Sequence, residues 1–349
     1  FSLIIPSLRA VTSRKDSLVS FIKKCETESG FANIPGASEA TLEATFQALY
    51  ILDGLNMLSD INTDSVIEFV NKCKNEDHGF GNSNISSSNI YTTYYALWIE
   101  ALLDIQLDND TDDWVANLYN ETGGFKDKYN STETLYATYF GLEALYINNT
   151  DLGNYNLSTW LIDRQNTNPS SEGYGGFATD GNSSNIWATW AAMGSISRLN
   201  ISEGFLIEPL VLWINSSQNL NIYTDNYGAF SSSPAENDYS LLPTYAALYS
   251  IQKLGNNYLT QVNLDIALDW LIDLQNEDGG FRVNSIESDS SLSASYYAFR
   301  TLDCLGERNR LLADAPWKYK VELPLWLWIL IGFAIVITAI LIIRKYYIY

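Results

Sequence analysis

The sequence predicts an all-α protein, a six-repeat (α/α)6 toroid followed by one C-terminal transmembrane helix. Two repeated motifs and one uncharged run lead to this fold class. The first motif ends in a Gly-Phe turn and recurs along the 349 residues at intervals of 49, 45, 52, 53 and 51 residues. Its turn phenylalanines are Phe31, Phe80, Phe125, Phe177, Phe230 and Phe281. Such a period is the length of two helices with their loops.

The second motif follows each turn phenylalanine by 12 to 14 residues and reads Thr or Ser, an aromatic residue and then mostly apolar residues. Its six copies begin at Thr45, Thr93, Thr138, Thr189, Thr244 and Ser295. Because the two motifs recur in phase, each repeat is predicted to contain an outer helix, the turn, a polar loop and an inner helix.

The two helices of a repeat differ in polarity. Outer segments such as EFVNKC at 68–73 and WLIDLQ at 270–275 are amphipathic. Inner segments carry apolar and aromatic residues nearly all round, which is typical of helices that are buried on every side. A ring of inner helices inside a ring of outer helices satisfies both patterns, and six pairs close such a ring.

These repeats resemble those of the prenyltransferase and squalene cyclase superfamily. The resemblance is carried by WLIDLQNEDGGF from Trp270 and WLIDRQNTNPSSEGYGGF from Trp160, in which a Gln precedes the Gly-Phe turn, and it covers residues 16–306. It implies an α/α toroid of six helix pairs over that range. It does not imply one activity, because the same toroid serves protein prenyltransferases, terpene cyclases, thioester domains and binding proteins.

The ends of the chain are predicted to lie outside the toroid. Residues 1–15 form either an N-terminal arm or the remnant of a processed signal segment. After the toroid, a charged connector at 307–322 leads to a transmembrane helix at 323–343, and residues 344–349 form a cytoplasmic tail. The run 323–343 has 21 residues and no charge. At about 1.5 Å per residue it is long enough to cross a hydrocarbon core of about 30 Å.

The flanks of this run indicate its orientation. Trp326 and Trp328 at one end, and the tyrosines of the tail at the other, fit the aromatic belts of a membrane-spanning helix. Arg344 and Lys345 favour a cytoplasmic C-terminus. Lys318 and Lys320 on the opposite flank weaken that indication.

Nine Asn-X-Ser/Thr sequons indicate that the toroid lies outside the cell. They begin at Asn84, Asn109, Asn120, Asn130, Asn148, Asn156, Asn182, Asn200 and Asn215. Most fall in predicted loops or helix ends, where N-linked glycans could be accommodated. Many sequons with few cysteines resemble membrane-anchored archaeal cell-surface proteins. We therefore predict a single-pass glycoprotein of the cell membrane whose partners are the membrane, glycans and other surface proteins.

Charge and cysteine usage exclude some classes. A net charge of −21 repels nucleic acid, so no nucleic-acid partner is predicted. Three cysteines, Cys25, Cys73 and Cys304, are too few and odd in number for a disulfide framework. We interpret all three as buried thiols.

Several catalytic sites implied by the family resemblance are not found. The protein prenyltransferases hold zinc with an Asp-X-Cys pattern and a distant His, whereas here Asp303 and Cys304 are adjacent and the only histidine, His78, lies in the second turn. No stretch resembles the Gly-Cys-Gly-Glu-Gln of thioester domains. Basic residues that could hold a diphosphate are scattered, as at Lys126 and Arg282. We predict no metal and no cofactor.

One motif of the cyclases is matched letter for letter. These enzymes protonate an alkene with Asp-X-Asp-Asp, and residues 110–113 read Asp-Thr-Asp-Asp. In the cyclases the motif lies where an inner helix begins, but here it precedes an outer helix. An acidic N-cap at the positive end of that helix explains it more simply. No catalytic residue is predicted.

Comparison of the six copies predicts the lining of the toroid axis. Positions that differ between copies can face the axis, and the residue five after the Thr or Ser differs most. Together with its helical neighbours three and seven residues earlier, it defines a stripe. The stripe comprises Glu43, Gln47, Tyr50, Tyr91, Tyr95, Trp98, Tyr136, Phe140, Glu143, Trp187, Ala191, Gly194, Leu242, Ala246, Tyr249, Ser293, Tyr297 and Arg300. Alternatively, these aromatic residues simply fill the barrel as core.

Repeats 3 and 6 lie opposite each other in a six-membered ring and place the charges Glu143 and Arg300 on the stripe. Buried charges that fail to pair cost several kcal/mol. The sequence therefore predicts an axial ion pair between Glu143 and Arg300, flanked by Tyr50, Trp98 and Tyr249, with space beside Gly194.

Two classes of function are left by these observations. The favoured one is a non-catalytic, membrane-anchored extracellular module that binds a ligand or protein or serves as a subunit of a membrane complex. The alternative is a terpenoid-cyclase-like enzyme that stabilises cations with its aromatic axial cavity.

Overall fold

A computed structural model describes residues 12–105, 110–121, 123–179 and 183–315. The chain divides into two compact units, Arg14–Ala313 and a second unit made of Phe1–Ser13 with Asp314–Tyr349. Of the second unit the structure describes residues 12, 13, 314 and 315, where Ser13 pairs antiparallel with Asp314. The predicted transmembrane helix at 323–343 and the tail lie outside the described residues.

The larger unit is built almost entirely from helices. In chain order they are α1 (Arg14–Lys24), α2 (Leu42–Gly54), α3 (Thr63–Cys73), α4 (Ile90–Leu102), α5 (Thr111–Ala116), α6 (Leu135–Ile147), α7 (Ser158–Ile162), α8 (Ile186–Arg198), α9 (Ile207–Asn215), α10 (Leu241–Leu254), α11 (Asn256–Leu259), α12 (Leu264–Asp273) and α13 (Leu292–Cys304). Short 3-10 turns span Leu58–Asp60, Leu152–Asn154 and Arg308–Leu312. No helix among the described residues is both long enough and apolar enough to cross a membrane.

The inner helices form a closed ring, as the sequence predicts. Helices α2, α4, α6, α8, α10 and α13 each contact the next one, and α13 returns to contact α2. Most of their apolar residues are buried in the hydrophobic core. The six turn phenylalanines are fully buried between the inner and outer helices.

The start of each inner helix is determined locally. Five of them begin after a residue whose side-chain oxygen accepts a hydrogen bond from a backbone N–H of the first turn. These N-caps are Thr41, Asn89, Thr134, Asn185 and Ser291. In α10 the equivalent Ser240 makes no such bond.

The recurring Thr or Ser ties each inner helix to its turn. Its hydroxyl oxygen accepts the backbone N–H of the turn phenylalanine in all six repeats, at distances from 2.9 to 3.1 Å, as in Phe80 to Thr93. All six hydroxyl residues are fully buried. Because a buried N–H without an acceptor is costly, this bond explains why both motifs recur in phase.

Backbone hydrogen bonds join neighbouring repeats at the same place. The first N–H of an inner helix donates to the carbonyl two residues beyond the turn phenylalanine of the next repeat. The pairs are Leu42 to Asn82, Ile90 to Asp127, Ile186 to Ser232, Leu241 to Val283 and Leu292 to Asn33. The last pair joins repeat 6 to repeat 1 at 2.8 Å and closes the inner ring.

The glutamines before the later turns join the outer layer. Gln165 and Gln218 are buried, and each side chain bonds both its own turn and the residue before the next outer helix, Leu206 and Asn263. Gln275 instead donates to the carbonyl of Arg14 at 2.9 Å, at the start of α1. This glutamine therefore closes the outer layer of the toroid.

Some details differ from the predicted pattern. The outer helices of repeats 3 and 4 are short, with six residues in α5 and five in α7. A two-stranded antiparallel sheet, which the sequence analysis does not predict, pairs β1 (Phe125–Lys126) with β2 (Glu133–Thr134).

The thiols and sequons can be placed where they are described. All three cysteines are free; Cys25 and Cys73 are buried as predicted, and Cys304 is only half-buried. Burial raises the pKa of Cys25 and of Cys73 to about 12. The exposed sequon asparagines are Asn84, Asn130, Asn148, Asn156 and Asn200, while Asn120 and Asn215 are half-buried. Asn109 and Asn182 lie outside the described residues.

Candidate functional site at the toroid axis

Twelve of the eighteen residues of the predicted stripe are half-buried, on inner helices that are otherwise mostly buried. At the N-terminal ends of the inner helices all six stripe residues are half-buried. We call this set the axial mouth: Glu43, Tyr91, Tyr136, Trp187, Leu242 and Ser293. These six side chains are therefore partly accessible to solvent.

Further along the inner helices the stripe is less accessible. In its middle layer Tyr95, Phe140 and Tyr297 are half-buried, whereas Gln47, Ala191 and Ala246 are buried. In its C-terminal layer Tyr50, Trp98 and Arg300 are half-buried, whereas Glu143, Gly194 and Tyr249 are buried.

A second set of aromatic residues fills much of the axis and was not assigned to it by sequence reasoning. It is the aromatic that follows the Thr or Ser in each repeat, which we call the aromatic ring: Phe46, Tyr94, Tyr139, Trp190, Tyr245 and Tyr296. All six are buried. The sequence signal is present in every copy, but a residue type shared by all six copies is equally expected for packing common to the repeats.

The aromatic ring is continuous. Centroid distances are 5.7 Å for Phe46 to Tyr94, 4.6 Å for Tyr139 to Trp190, and 5.4 Å for Tyr296 to Phe46. Phe140 and Tyr297 of the stripe complete the circuit through Tyr94 and Tyr245. Edge-to-face contacts of this kind add to the apolar burial. The alternative that aromatic residues fill the barrel therefore holds for this layer, but not for the axial mouth.

The predicted axial pair of Glu143 and Arg300 is wrong. Both carboxylate oxygens of Glu143 are instead held by Arg198, at 2.6 Å from Nε and 2.7 Å from Nη2. Arg198 lies one helical turn beyond Gly194 on the neighbouring α8, so it reaches Glu143 without crossing the axis. Gly194 leaves no space, because a Cβ there would collide with the ring of Tyr139.

Arg300 has other partners at the C-terminal end of the axis. Its guanidinium donates to the hydroxyl of Tyr50 and lies 4.7 Å from the centre of that ring. The same hydroxyl donates to Asp303 at 2.7 Å, and Asp303 accepts from Arg308 at 2.6 Å. Burial raises the pKa of Tyr50 to about 12. Lys253 lies 4.9 Å from the Tyr249 ring centre, so this end of the axis is rich in cations.

Glu43 is the carboxylate of the axial mouth. It lies in the first turn of α2, and its Oε1 accepts a hydrogen bond from Gln47 at 3.2 Å. The charge of Glu43 contributes, after burial, to raising the pKa of Tyr95 on α4 and of Tyr297 on α13. Burial raises the pKa of Glu43, and the bond from Gln47 offsets part of that increase. In the part of the chain that the structure describes, no ion pair reaches its carboxylate.

The Asp-Thr-Asp-Asp stretch lies on the outside of the toroid. The stretch is predicted to precede an outer helix that starts near Trp114, but residues 111–113 already form the first turn of α5, and the Asp110 side chain at the N-cap makes no capping hydrogen bond. Asp112 accepts a hydrogen bond from the Asn148 side chain. Burial raises the pKa of Asp112, and that hydrogen bond opposes the increase. The stretch does not face the axis.

His78 is an exposed loop residue, as predicted. It occupies the position two before the turn phenylalanine, where the backbone is left-handed, with φ of 70°. The later turns place Gly123, Gly175, Gly228 and Gly279 there. Within the described ranges, no group of three or more His, Cys, Asp or Glu side chains is arranged to hold a metal ion.

The fold and the repeat bonds agree with a comparison to protein families. The sequence profile of the prenyltransferase alpha-alpha toroid domain matches residues 2–112, 83–222 and 178–321. The chain belongs to this family. The family covers the whole toroid and does not by itself distinguish an enzyme from a binding protein. No curated protein matches the sequence.

Solved structures with the same fold are distant in sequence. Protein geranylgeranyltransferase-I from Candida albicans, complexed with GGPP, is 18% identical with a TM-score of 0.63, over 80% of this chain and 90% of that chain. A type II terpene cyclase from Scytonema is 12% identical with a TM-score of 0.55, over 86% and 98%. A protein from Actinoplanes is 12% identical with a TM-score of 0.54, over 84% and 98%. At these identities the likeness concerns the fold alone.

Proposed function

We propose that this toroid is a non-catalytic binding module whose axial mouth receives a ligand or a segment of a partner protein. One observation carries the proposal: the residues of the axial mouth are half-buried, while the Glu143 carboxylate and the Arg300 guanidinium deeper in the axis have hydrogen-bond partners within the chain. Glu143 is held by Arg198, and Arg300 by Tyr50. The acidic stretch at 110–113 lies on an outer helix, away from the axis.

Site-specific photo-crosslinking tests this proposal. A photoreactive phenylalanine analogue replaces Tyr136 or Trp187 of the axial mouth in the full chain in its membrane. The matched control carries the analogue at Tyr223, which is 91% exposed on the outer surface. We expect a discrete adduct from both mouth positions and not from the control. Mouth positions that label no more than Tyr223 would contradict a binding role for the mouth.

A terpenoid-cyclase-like enzyme is the second candidate, and Glu43 is the observation that favours it. A carboxyl group with a raised pKa among aromatic rings is a plausible general acid. In this proposal Glu43 would protonate an alkene and Tyr95 and Tyr297 would stabilise the resulting carbocation. The test is incubation of the full chain with squalene and geranylgeraniol. If the toroid is a non-catalytic binding module, no product should form. If it is a cyclase-like enzyme, a product should form that Glu43→Gln abolishes and Asp112→Asn leaves unchanged.

The proposal also places the toroid outside the cell, anchored by residues 323–343, with the C-terminus in the cytoplasm. Exposed sequon asparagines such as Asn84, Asn130 and Asn200 support it. Translation of the full chain with microsomes should yield a membrane-bound product that loses mass on glycosidase treatment. An Asn84→Gln variant controls for the mass of one glycan. A product that is released by alkaline carbonate, or that the glycosidase does not shift, would contradict this topology.

A further inference from the structure

We propose that the axial mouth binds an organic ammonium group, with Glu43 as its counter-ion and Tyr95 and Tyr297 as its aromatic walls. This inference rests on the proposed binding function and specifies the chemical class of the ligand. In this proposal the Glu43 carboxylate forms an ion pair with the cationic group of a ligand.

The first step is the charge of Glu43. Its carboxylate has one hydrogen-bond donor, Gln47, and within the described residues it forms no ion pair. Glu43 lies in the first turn of α2, where the helix dipole favours a negative charge. A partly buried carboxylate without a cationic partner is costly. An external cation would supply the missing partner.

The second step is the aromatic surroundings. Tyr95 stacks on Phe46 with a centroid distance of 5.1 Å and an interplanar angle of 19°. Tyr297 contacts Tyr245 at 5.3 Å. Because packing fixes both rings on either side of α2, little reorganisation is needed on binding. Cations placed within about 6 Å of such ring centres gain about 0.5–2 kcal/mol, more when they are desolvated.

A second carboxylate reinforces the charge of the mouth. Asp127 Oδ1 is buried and has no hydrogen-bond partner in the part of the chain that the structure describes. Its charge acts on Tyr91 of the mouth, and its carbonyl accepts the N–H of Ile90 at the start of α4. The mouth is therefore acidic and aromatic.

The opposite end of the axis carries an excess of cationic side chains, two of which pair with Glu143 and Asp303. Arg198, Lys253, Arg300 and Arg308 lie at or beyond the C-terminal layer of the stripe. A cation entering the axis is therefore attracted to the Glu43 end and repelled from the other. The net charge of −21 also attracts cationic ligands to the molecule.

Other ligand classes fit the mouth less well. A bare Ca²⁺ or Mg²⁺ ion needs about six oxygen ligands, whereas the one hydrogen-bond partner of the Glu43 carboxylate among the described residues is the Gln47 amide. An anion would meet an unpaired carboxylate. An organic ammonium group satisfies both the charge and the aromatic walls.

An ammonium group could come from a small molecule or from a lysine side chain of a partner. The test measures binding of choline, and of a peptide that contains trimethyllysine, to the detergent-solubilised full chain by calorimetry. Each charged ligand is compared with a neutral one. Choline is compared with its isostere 3,3-dimethylbutan-1-ol, and the trimethyllysine peptide with the same peptide that carries alanine at that position. Glu43→Gln and Tyr297→Leu are the site variants, and Asp112→Asn on α5 is the control variant.

We expect at least one ammonium ligand to bind about tenfold or more tightly than its neutral partner, since about 1.4 kcal/mol corresponds to a factor of ten. Glu43→Gln should remove this preference, Tyr297→Leu should weaken binding, and Asp112→Asn should change neither. Choline binding alone would identify a small-molecule ligand, and peptide binding alone a partner protein.

Acidification gives an independent readout. As the pH falls through the raised pKa of Glu43, the carboxylate becomes protonated and ammonium affinity should fall, while the Glu43→Gln variant should show no such dependence. The other titratable groups that face Glu43 are Tyr95 and Tyr297. Burial raises the pKa of both phenols, so they stay neutral in this range.

Three results would overturn the ammonium class. They are equal binding of the charged and neutral ligands, no binding of either charged ligand, and full ammonium preference in the Glu43→Gln variant. Photo-crosslinks from Tyr136 and Trp187 in the same protein would show that the mouth still binds a partner. Failure of the ammonium proposal is thus distinguishable from failure of the binding function.

Discussion

The ion pair of Glu143 and Arg198 is the interaction on which single substitutions should act most strongly. The Glu143 side chain is 7% exposed and that of Arg198 is 25% exposed. Arg198→Met should leave a buried carboxylate without its two donors and lower the free energy of unfolding by about 3 kcal/mol or more. Chemical denaturation of the toroid in the full chain measures this loss.

Two comparisons make that expectation specific. Arg310→Met removes ion pairs to Asp265, Asp269 and Glu307, whose side chains are 93%, 73% and 36% exposed, so it should cost less than about 1 kcal/mol. The double substitution Arg198→Met with Glu143→Leu should recover most of the stability, because no unpaired charge remains. A single variant no more destabilised than Arg310→Met would show that Glu143 reaches water.

The partner of Glu143 was predicted wrongly because a residue pattern identifies which charges lie on the stripe but not which of them pair. Position five after the Thr or Ser identified Glu143 and Arg300 as charges on the axial stripe, and both lie there. The choice between Arg300 and Arg198 depends on distances between helices. Extending the stripe by one more turn would have included Arg198 and Lys253, so the signal was present but was not followed.

At the scale of elements, the parts determined by local bonds were predicted well. The Thr or Ser hydroxyl that accepts from the turn phenylalanine, and N-caps such as Asn89 and Asn185, need only residues close in sequence. They give the six repeats and their inner helices. The family resemblance to α/α toroids follows from the same residues.

Elements that the shared motifs do not specify were predicted less well. The motifs do not fix the lengths of α5 and α7, nor the pairing of β1 with β2 inside repeat 3. The aromatic ring was missed for a related reason. An aromatic residue present in all six copies is compatible with packing at the axis or between the helix layers. Only the structure of the closed ring shows that residues such as Tyr94 and Tyr245 lie around the axis.

At the scale of the whole molecule, the toroid is closed separately in two layers. The inner layer is closed by the bond from the Leu292 N–H to the Asn33 carbonyl, at 2.8 Å. The outer layer is closed by Gln275, whose amide donates to the carbonyls of Arg14 and Gly279 at 2.9 Å each. Both closures join residues that are far apart in sequence, so they fix the two ends of the larger unit.

Breaking the outer closure alone should loosen α1 without opening the inner ring. Gln275→Leu leaves the Arg14 and Gly279 carbonyls without this donor, so hydrogen exchange should accelerate in α1 and in the turn at 276–281. A stability loss of about 1–3 kcal/mol should accompany it. Amides of α2 and α13 should keep their protection, because the inner bond remains.

Gln218→Leu is the matched control for this prediction. Gln218 makes equivalent bonds to Gly228 and Asn263, at 3.1 and 3.0 Å, between consecutive repeats. Its loss should accelerate exchange near the start of α12 and leave α1 unchanged, because the ring stays closed at Gln275. If Gln275→Leu and Gln218→Leu loosened the same amides, or if α2 and α13 lost protection together with α1, the two layers would not close independently. Native-state hydrogen exchange can detect such opening of one part of the toroid while the rest stays folded.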